Sequence, residues 1–210
     1  MFDKLEKTTA ELSGEEHLIP EDRKALLEEL SIYIKGKLDS NQQVNLVFIC
    51  THNSRRSHMA QVWIMAAAQY YKVPHIFAYS GGTQVTSFNR NAVNALRKAG
   101  FKIELAQEGA NPRYKVKYGR KCQPLICFSK KYDHKKNPQE GFVAIMTCST
   151  ADETCPVISG AYYRTTITYE DPKRFDNSSR ADEVYLERSR QIGRKMLYAI
   201  KMVSEYLKST

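Results

Sequence analysis

The chain has 210 residues, 42% of them apolar and 26% charged, with a formal net charge of +9. That is enough chain to bury one good core, and the balance is that of an ordinary folded protein. The longest apolar run, Val62 to Ala68, is seven residues, far short of a membrane span, so no membrane partner is expected. The opening Met-Phe-Asp-Lys-Leu-Glu-Lys lacks the pattern of a secretory signal. Five cysteines, an odd number, fit a reducing cytoplasm and reactive thiols rather than a disulfide framework. Between Arg113 and Lys136 nine Lys or Arg stand against one Asp, which leaves +1 for the rest of the chain. An electrostatic footprint for nucleic acid would rest on that one segment, and a nucleic-acid partner is not expected.

Residues 1 to 40 read as an N-terminal helical extension of two helices. In the second, Pro20 opens the first turn, Glu21 and Asp22 follow, and Leu27, Leu30, Ile34 and Leu38 form an apolar stripe. Such a stripe is expected to cover the core of its own chain rather than to make a dimer contact. The main domain then runs over 41–210. Val44 to Ile49 reads as a buried strand, Cys50-Thr51-His52-Asn53-Ser54-Arg55-Arg56 as a polar loop, and Ser57 to about Tyr71 as a helix, with Met59, Ala60, Trp63, Ile64 and Ala67 at helical spacing. His75 to Tyr79 is a second strand, and Ser80-Gly81-Gly82-Thr83 a turn. Asn89 to Gly100 reads as a helix with Gly100 at its C-cap.

Gly109 to Gly141 reads as a basic β-hairpin insert. Tyr114 to Tyr118 alternates apolar and charged residues, Gly119 to Pro124 turns the chain, and Leu125 to Phe128 returns it. It is expected to be a solvated surface hairpin. Cys122 and Cys127 lie within it without a His or third Cys at zinc-ligand spacing, so no metal is expected. Phe142 to Met146 is the third buried strand and runs into Thr147-Cys148. Arg164 to Tyr169 is the last, ended by Glu170-Asp171-Pro172, and Asp182 to Leu207 is a long terminal helix. The alternation of strands and helices predicts an α/β fold with a central, mainly parallel four-stranded sheet flanked by helices. Ligands of such sheets bind at the carboxyl ends of strands, so Cys50, Cys148 and Asp171 should share one rim.

The loop from Cys50 to Ser57 has the makings of an anion trap. A loop feeding a helix N-terminus turns several unpaired N–H groups toward one spot, and the helix dipole adds partial positive charge. Arg56 can add a bidentate, charge-assisted fork for a tetrahedral oxyanion. A thiol in that setting loses its proton more readily, which makes Cys50 a candidate nucleophile. Ser57 can offer it a hydroxyl, and Asn53 suits a turn with positive φ. Thr51, His52, Asn53, Ser54, Arg55, Arg56 and Ser57 are thus the expected substrate-binding residues.

Cys50, Asn53, Arg56 and Ser57 fall on the phosphate-binding loop of the low-molecular-weight protein tyrosine phosphatases, and the segment also resembles the thioredoxin-coupled arsenate reductases built on that fold. The resemblance covers about Val44 to Leu207 without the insert. His52 stands where the family usually has Gly, and Arg55 where the phosphatases often carry a second cysteine. Asp171-Pro172 resembles the family's general-acid pair, although Lys173 and Arg174 follow it where the phosphatases usually have a tyrosine. Cys148 and Cys155, the latter followed by Pro156, resemble the thiol pair of the reductases. The Trp that those enzymes tend to have before Asp-Pro is absent here; Tyr162 and Tyr163 lie farther upstream.

The resemblance implies an enzyme with no cofactor that acts on an oxyanion: arsenate, phosphate or phosphotyrosine. In the leading reading it is an arsenate reductase. Cys50 attacks arsenate, Arg56 holds the oxyanion, Asp171 protonates the leaving oxygen, and Cys148 and Cys155 relay the oxidised bond to a thioredoxin-like reductant. The alternative is a tyrosine phosphatase working through phosphocysteine at Cys50. A third reading is a non-catalytic anion-binding module.

Overall fold

The computed structural model describes residues 1–154 and 157–209. In chain order the elements are α1 (Asp3–Ser13), α2 (Glu21–Asp39), β1 (Val44–Cys50), α3 (Arg56–Tyr70), β2 (Ile76–Gly82), α4 (Arg90–Ala99), β3 (Lys102–Gln107), β4 (Arg113–Lys117), β5 (Leu125–Cys127), β6 (Phe142–Met146), α5 (Ser149–Thr154), β7 (Ala161–Thr166) and α6 (Ala181–Lys208). Four strands form one parallel sheet in the order β2-β1-β6-β7. The expected α/β architecture is therefore present.

Burial explains the apolar runs. All of β6, and all of β1 except Asn45, is buried, as central strands covered on both faces must be. Helix α3 is buried nearly all round because it lies between the sheet and α6. Trp63 packs edge-on to Phe101 with centroids 5.0 Å apart, and its Nε1 donates to Ser189 Oγ at 3.0 Å. Gly193 permits that close approach: a Cβ there would lie 2.8 Å from the Trp63 ring. The N-terminal helices pack on α6, and Leu5, Leu12, Leu27, Leu30 and Ile34 are fully buried. Each such side chain contributes about 1.5–3 kcal/mol. The stripe on α2 is thus a cover for the chain's own core.

The hairpin is present as the antiparallel pair β4–β5, and β3 extends it to three strands. Only Ile103 of β3 is buried, so its sequence carries little alternation to read. The insert is not simply solvated, contrary to expectation. Tyr114, Val116 and Cys127 belong to the main core. Beyond β5 the chain passes along the edge of β2, where Gly82 N donates to Lys130 O at 2.9 Å and Tyr132 N to Gly82 O at 3.0 Å. An edge strand has unpaired groups to cover, and this segment covers them. Ser80 to Gly82 accordingly continues β2 instead of turning, paired with Phe48 to Cys50. The last strand is also displaced, to Ala161–Thr166.

Strand β1 is followed in the chain by its neighbour on one side, β2, and flanked on the other by β6. The chain direction therefore switches between β1 and β6, the place where open parallel sheets bind ligands. Cys50 ends β1, and Cys148 lies two residues past the end of β6.

Candidate active site

The polar loop between β1 and α3 is held from several sides. Asn53 has φ 43°, as its residue type allows, and is fully buried. Its Nδ2 donates to Ser57 Oγ at 2.9 Å, and its Oδ1 accepts from Lys130 N at 2.9 Å. Ser57 Oγ lies 3.2 Å from Cys50 Sγ. Asn53 already donates to that hydroxyl, which leaves the Ser57 proton free to be directed at the sulfur. The His52 carbonyl accepts from Ser129 Oγ at 2.9 Å and Thr86 Oγ1 at 3.2 Å, and the Ser54 carbonyl from Asn89 N at 2.9 Å. The Thr51 carbonyl accepts from Gln84 N at 2.8 Å. With their carbonyls turned outward in this way, none of the N–H groups from Thr51 to Arg56 is donated to another group among the described residues. They stand at the positive end of α3.

Gly82 makes the cradle possible. A Cβ there would come within 2.7 Å of both Asn53 N and Thr51 O. Behind the loop, His58 is fully buried, stacked on Phe88 at 4.1 Å, with Nδ1 3.0 Å from Ser80 Oγ. Burial, reinforced by the Lys130 charge, pushes its pKa well below the usual imidazole range. It is a neutral wall rather than a proton donor.

The two adjacent arginines diverge. Arg56 donates from Nη1 to the Tyr169 carbonyl at 2.9 Å and from Nη2 to Asp171 Oδ2 at 2.5 Å, while its buried Nε has no partner among the described residues. Asp171 also accepts from Lys173 N at 3.0 Å, which caps the short turn Pro172–Phe175. Arg55 turns elsewhere. Its Nε donates to Tyr185 OH at 2.6 Å, and its Nη2 pairs with Asp176. Of the two side chains, only that of Arg56 is disposed toward Asp171 as a close pair; an Arg55 contribution to an oxyanion is left to its backbone N–H. Tyr185 and Asp176 carry no sequence signal, because a burial site for Arg55 exists only once α6 has packed.

Cys148 is buried beside the loop. The register that pairs Ile49 with Met146 continues through Thr147 N donating to Ile49 O at 2.7 Å, which sets Cys148 across from Thr51. Thr51 Oγ1 lies 3.5 Å from Cys148 Sγ, and Ala151 N donates to the same sulfur at 3.4 Å. Cys50 and Cys148 belong to one buried cluster under the rim. Cys155 and Pro156 lie outside the described residues. The insert cysteines are elsewhere: Cys122 Sγ donates to Gln69 Oε1 at 2.8 Å, and burial pushes the Cys127 thiol up to about 12.

No protein-family model matches the sequence, and no curated protein does either. Solved structures do. A low-molecular-weight phosphotyrosine phosphatase from Vibrio cholerae O395 aligns at TM-score 0.52 and 14% identity, covering 79% of this chain and 98% of that one. A mutant of the YwlE arginine phosphatase carrying a phosphorylated active-site serine aligns at 0.52 and 13% identity, with 79% and 96% covered. An arsenate reductase in the phosphate-binding state aligns at 0.49 and 16% identity, with 77% and 99% covered. Over about four-fifths of its length, the chain has the fold of the low-molecular-weight phosphotyrosine phosphatases.

Proposed function

We propose that the protein is an arsenate reductase that works by a thiol relay through Cys50, Cys148 and Cys155. The observation that carries this reading is the position of Cys148: buried against the anion loop, with a hydroxyl and a backbone N–H directed at its sulfur. In the first step the Cys50 thiolate attacks arsenic. Arg56 turns from Asp171 to the oxyanion, and Asp171 gives a proton to the departing oxygen, which leaves as water. The Cys148 thiolate then attacks Cys50 Sγ. A sulfur–sulfur bond forms, the sulfur–arsenic bond breaks, and its electron pair leaves with arsenic as arsenite. The Cys155 thiolate displaces Cys50 from Cys148, and a dithiol reductant of the thioredoxin kind reduces the Cys148–Cys155 disulfide.

A second reading, an oxyanion-ester phosphatase, is favoured by the Arg56–Asp171 pair over the loop, since that half of the chemistry needs neither later thiol. The similar solved structures are named for activity on phosphotyrosine and on arginine, and either ester or phosphoramidate would present the same oxyanion to the loop. Two variants separate the readings. Cys148→Ser should abolish arsenate reduction, and Cys155→Ser should accumulate a Cys50–Cys148 disulfide after one turnover, seen by peptide mapping. Both should keep hydrolysis of p-nitrophenyl phosphate. Multiple-turnover arsenate reduction by the double variant would remove the relay and leave the phosphatase.

A further inference from the structure

A cavity of about 440 Å³ opens where α2, α6 and the segment after β7 meet, on the β6–β7 side of the rim. Its wall includes Arg23 of α2, Arg188 and Lys195 of α6, Tyr169, Glu170 and Ser149. The charge there is unbalanced. Glu170 already serves Arg174 at 2.8 Å and Arg188 at 3.1 Å. Among the described residues the Arg23 side chain reaches only Asp22, at 3.6 Å, and Thr168 Oγ1, at 3.5 Å. Lys195 is 4% exposed and has no hydrogen bond or ion pair among the described residues; its ammonium lies 4.9 Å from the centroid of the Tyr169 ring. Tyr169 is 5% exposed, and among the described residues neither its buried hydroxyl nor the buried Nε of Arg188 has a partner.

Three cationic side chains and a tyrosine thus line one cavity, two of these residues carry an orphaned buried donor, and a buried ammonium without a bonded anion is a costly arrangement for a fold to keep. Lys195 is pushed down to about 8 by burial and then by Arg23 and the other neighbouring arginines, with Asp22 opposing them only in part. Tyr169 is pushed up by burial and stays a neutral donor. Every unmet group in the wall is a donor, which selects an acceptor-rich, negatively charged ligand. We propose that this cavity is a second oxyanion site, separate from the Cys50 loop, which takes a phosphate or carboxylate group on Lys195, Arg23, Arg188 and the Tyr169 hydroxyl. The N-terminal extension completes it through Arg23. The site also adjoins the catalytic rim, since the Tyr169 carbonyl accepts from Arg56 and Ser149 follows Cys148.

The anion could be free or carried by the substrate, and the test has an arm for each. In the first, inorganic phosphate is titrated calorimetrically into the reduced full-length protein, while protection of Cys50 from iodoacetamide reports the loop separately. Two sites are expected. Lys195→Met, which keeps the volume, should weaken the second about 10- to 100-fold and leave Cys50 protection unchanged. Tyr169→Phe, the gentler change, should weaken it less. In the second arm, Cys50→Ala protein binds phosphotyrosine peptides with and without a flanking acidic residue, and a substrate-borne anion predicts tighter binding of the acidic peptide that Lys195→Met removes. Lys195-dependent binding in either arm supports the site and identifies the source; its absence from both, in variants with wild-type circular dichroism, overturns it. Neither arm needs turnover, so an inactive enzyme would count against the reductase and phosphatase readings only.

Discussion

The anion loop and the segment around α5 lie on the same rim but are built in opposite ways. In the loop, carbonyls of Thr51, His52 and Ser54 are all tied to the stretch between β2 and α4, that of His52 also to Ser129 of the insert, and Asn53 bridges Ser57 to the insert. Its geometry is set before any ligand arrives, which is what stabilising developing charge requires. The α5 segment is six residues long, with Ser149, Thr150 and Glu153 exposed. Asp152 is its main anchor, accepting from Thr166 Oγ1 at 2.7 Å and paired with Arg164 of β7. A helix of that length has almost no stability of its own. The contrast fits the division of labour that the proposed relay requires: oxyanion chemistry needs rigid donors, whereas the proposed transfer of a disulfide from Cys148 to Cys155 needs a stretch of chain that unwinds at little cost.

Three substitutions probe this contrast. The largest effect is expected from Asp171→Asn, which should slow hydrolysis of an aryl phosphate with a poor leaving group by ~10²–10⁴-fold, with Cys50 alkylation intact. A full rate would assign the proton to another group. Next is Asn53→Ala, which loosens the loop from both Ser57 and Lys130; turnover of arsenate and aryl phosphate should fall together, by roughly 10²-fold. If arsenate reduction alone fell, the rigid half would not be shared by the two chemistries. The smallest is Asp152→Ala, which removes the side-chain ties of α5 to Arg164 and Thr166 and leaves the Arg164 bond to the Asp152 carbonyl. Aryl phosphate hydrolysis should not change, and single-turnover formation of the Cys148–Cys155 disulfide should shift only a few-fold, since the anchor is partly exposed. Equal loss of both activities would show that α5 supports the loop itself.

The rim was readable in the sequence because strand endings are. Apolar runs that stop at Cys50 and at Thr147-Cys148 place two cysteines at one end of a parallel sheet, whereas the strand expected to run up to Asp171-Pro172 ends earlier, at Thr166. Within the loop, residue type alone pointed to the positive φ of Asn53. The insert was harder. Its hairpin alternates visibly, but β3 is exposed at five of its six positions, so periodicity had nothing to register. Ser80-Gly81-Gly82 reads as a turn from composition, yet the glycines serve close approach of backbones, a reason that exists only between segments.

The sequence by itself determined the alternation of strands and helices around the sheet and the polar loop that runs from Cys50 to the start of α3, because each depends on neighbours a few residues apart. Tertiary structure decided how those parts are used. It turned Arg55 toward Tyr185 and Asp176 while leaving Arg56 with Asp171. It brought Lys130 from the insert to brace Asn53, 77 residues away. It set Arg23 and Lys195 around one cavity from opposite ends of the chain. The direction of a long charged side chain is set by which buried partner or unfilled space the packed elements leave within its reach, and no local pattern carries that information.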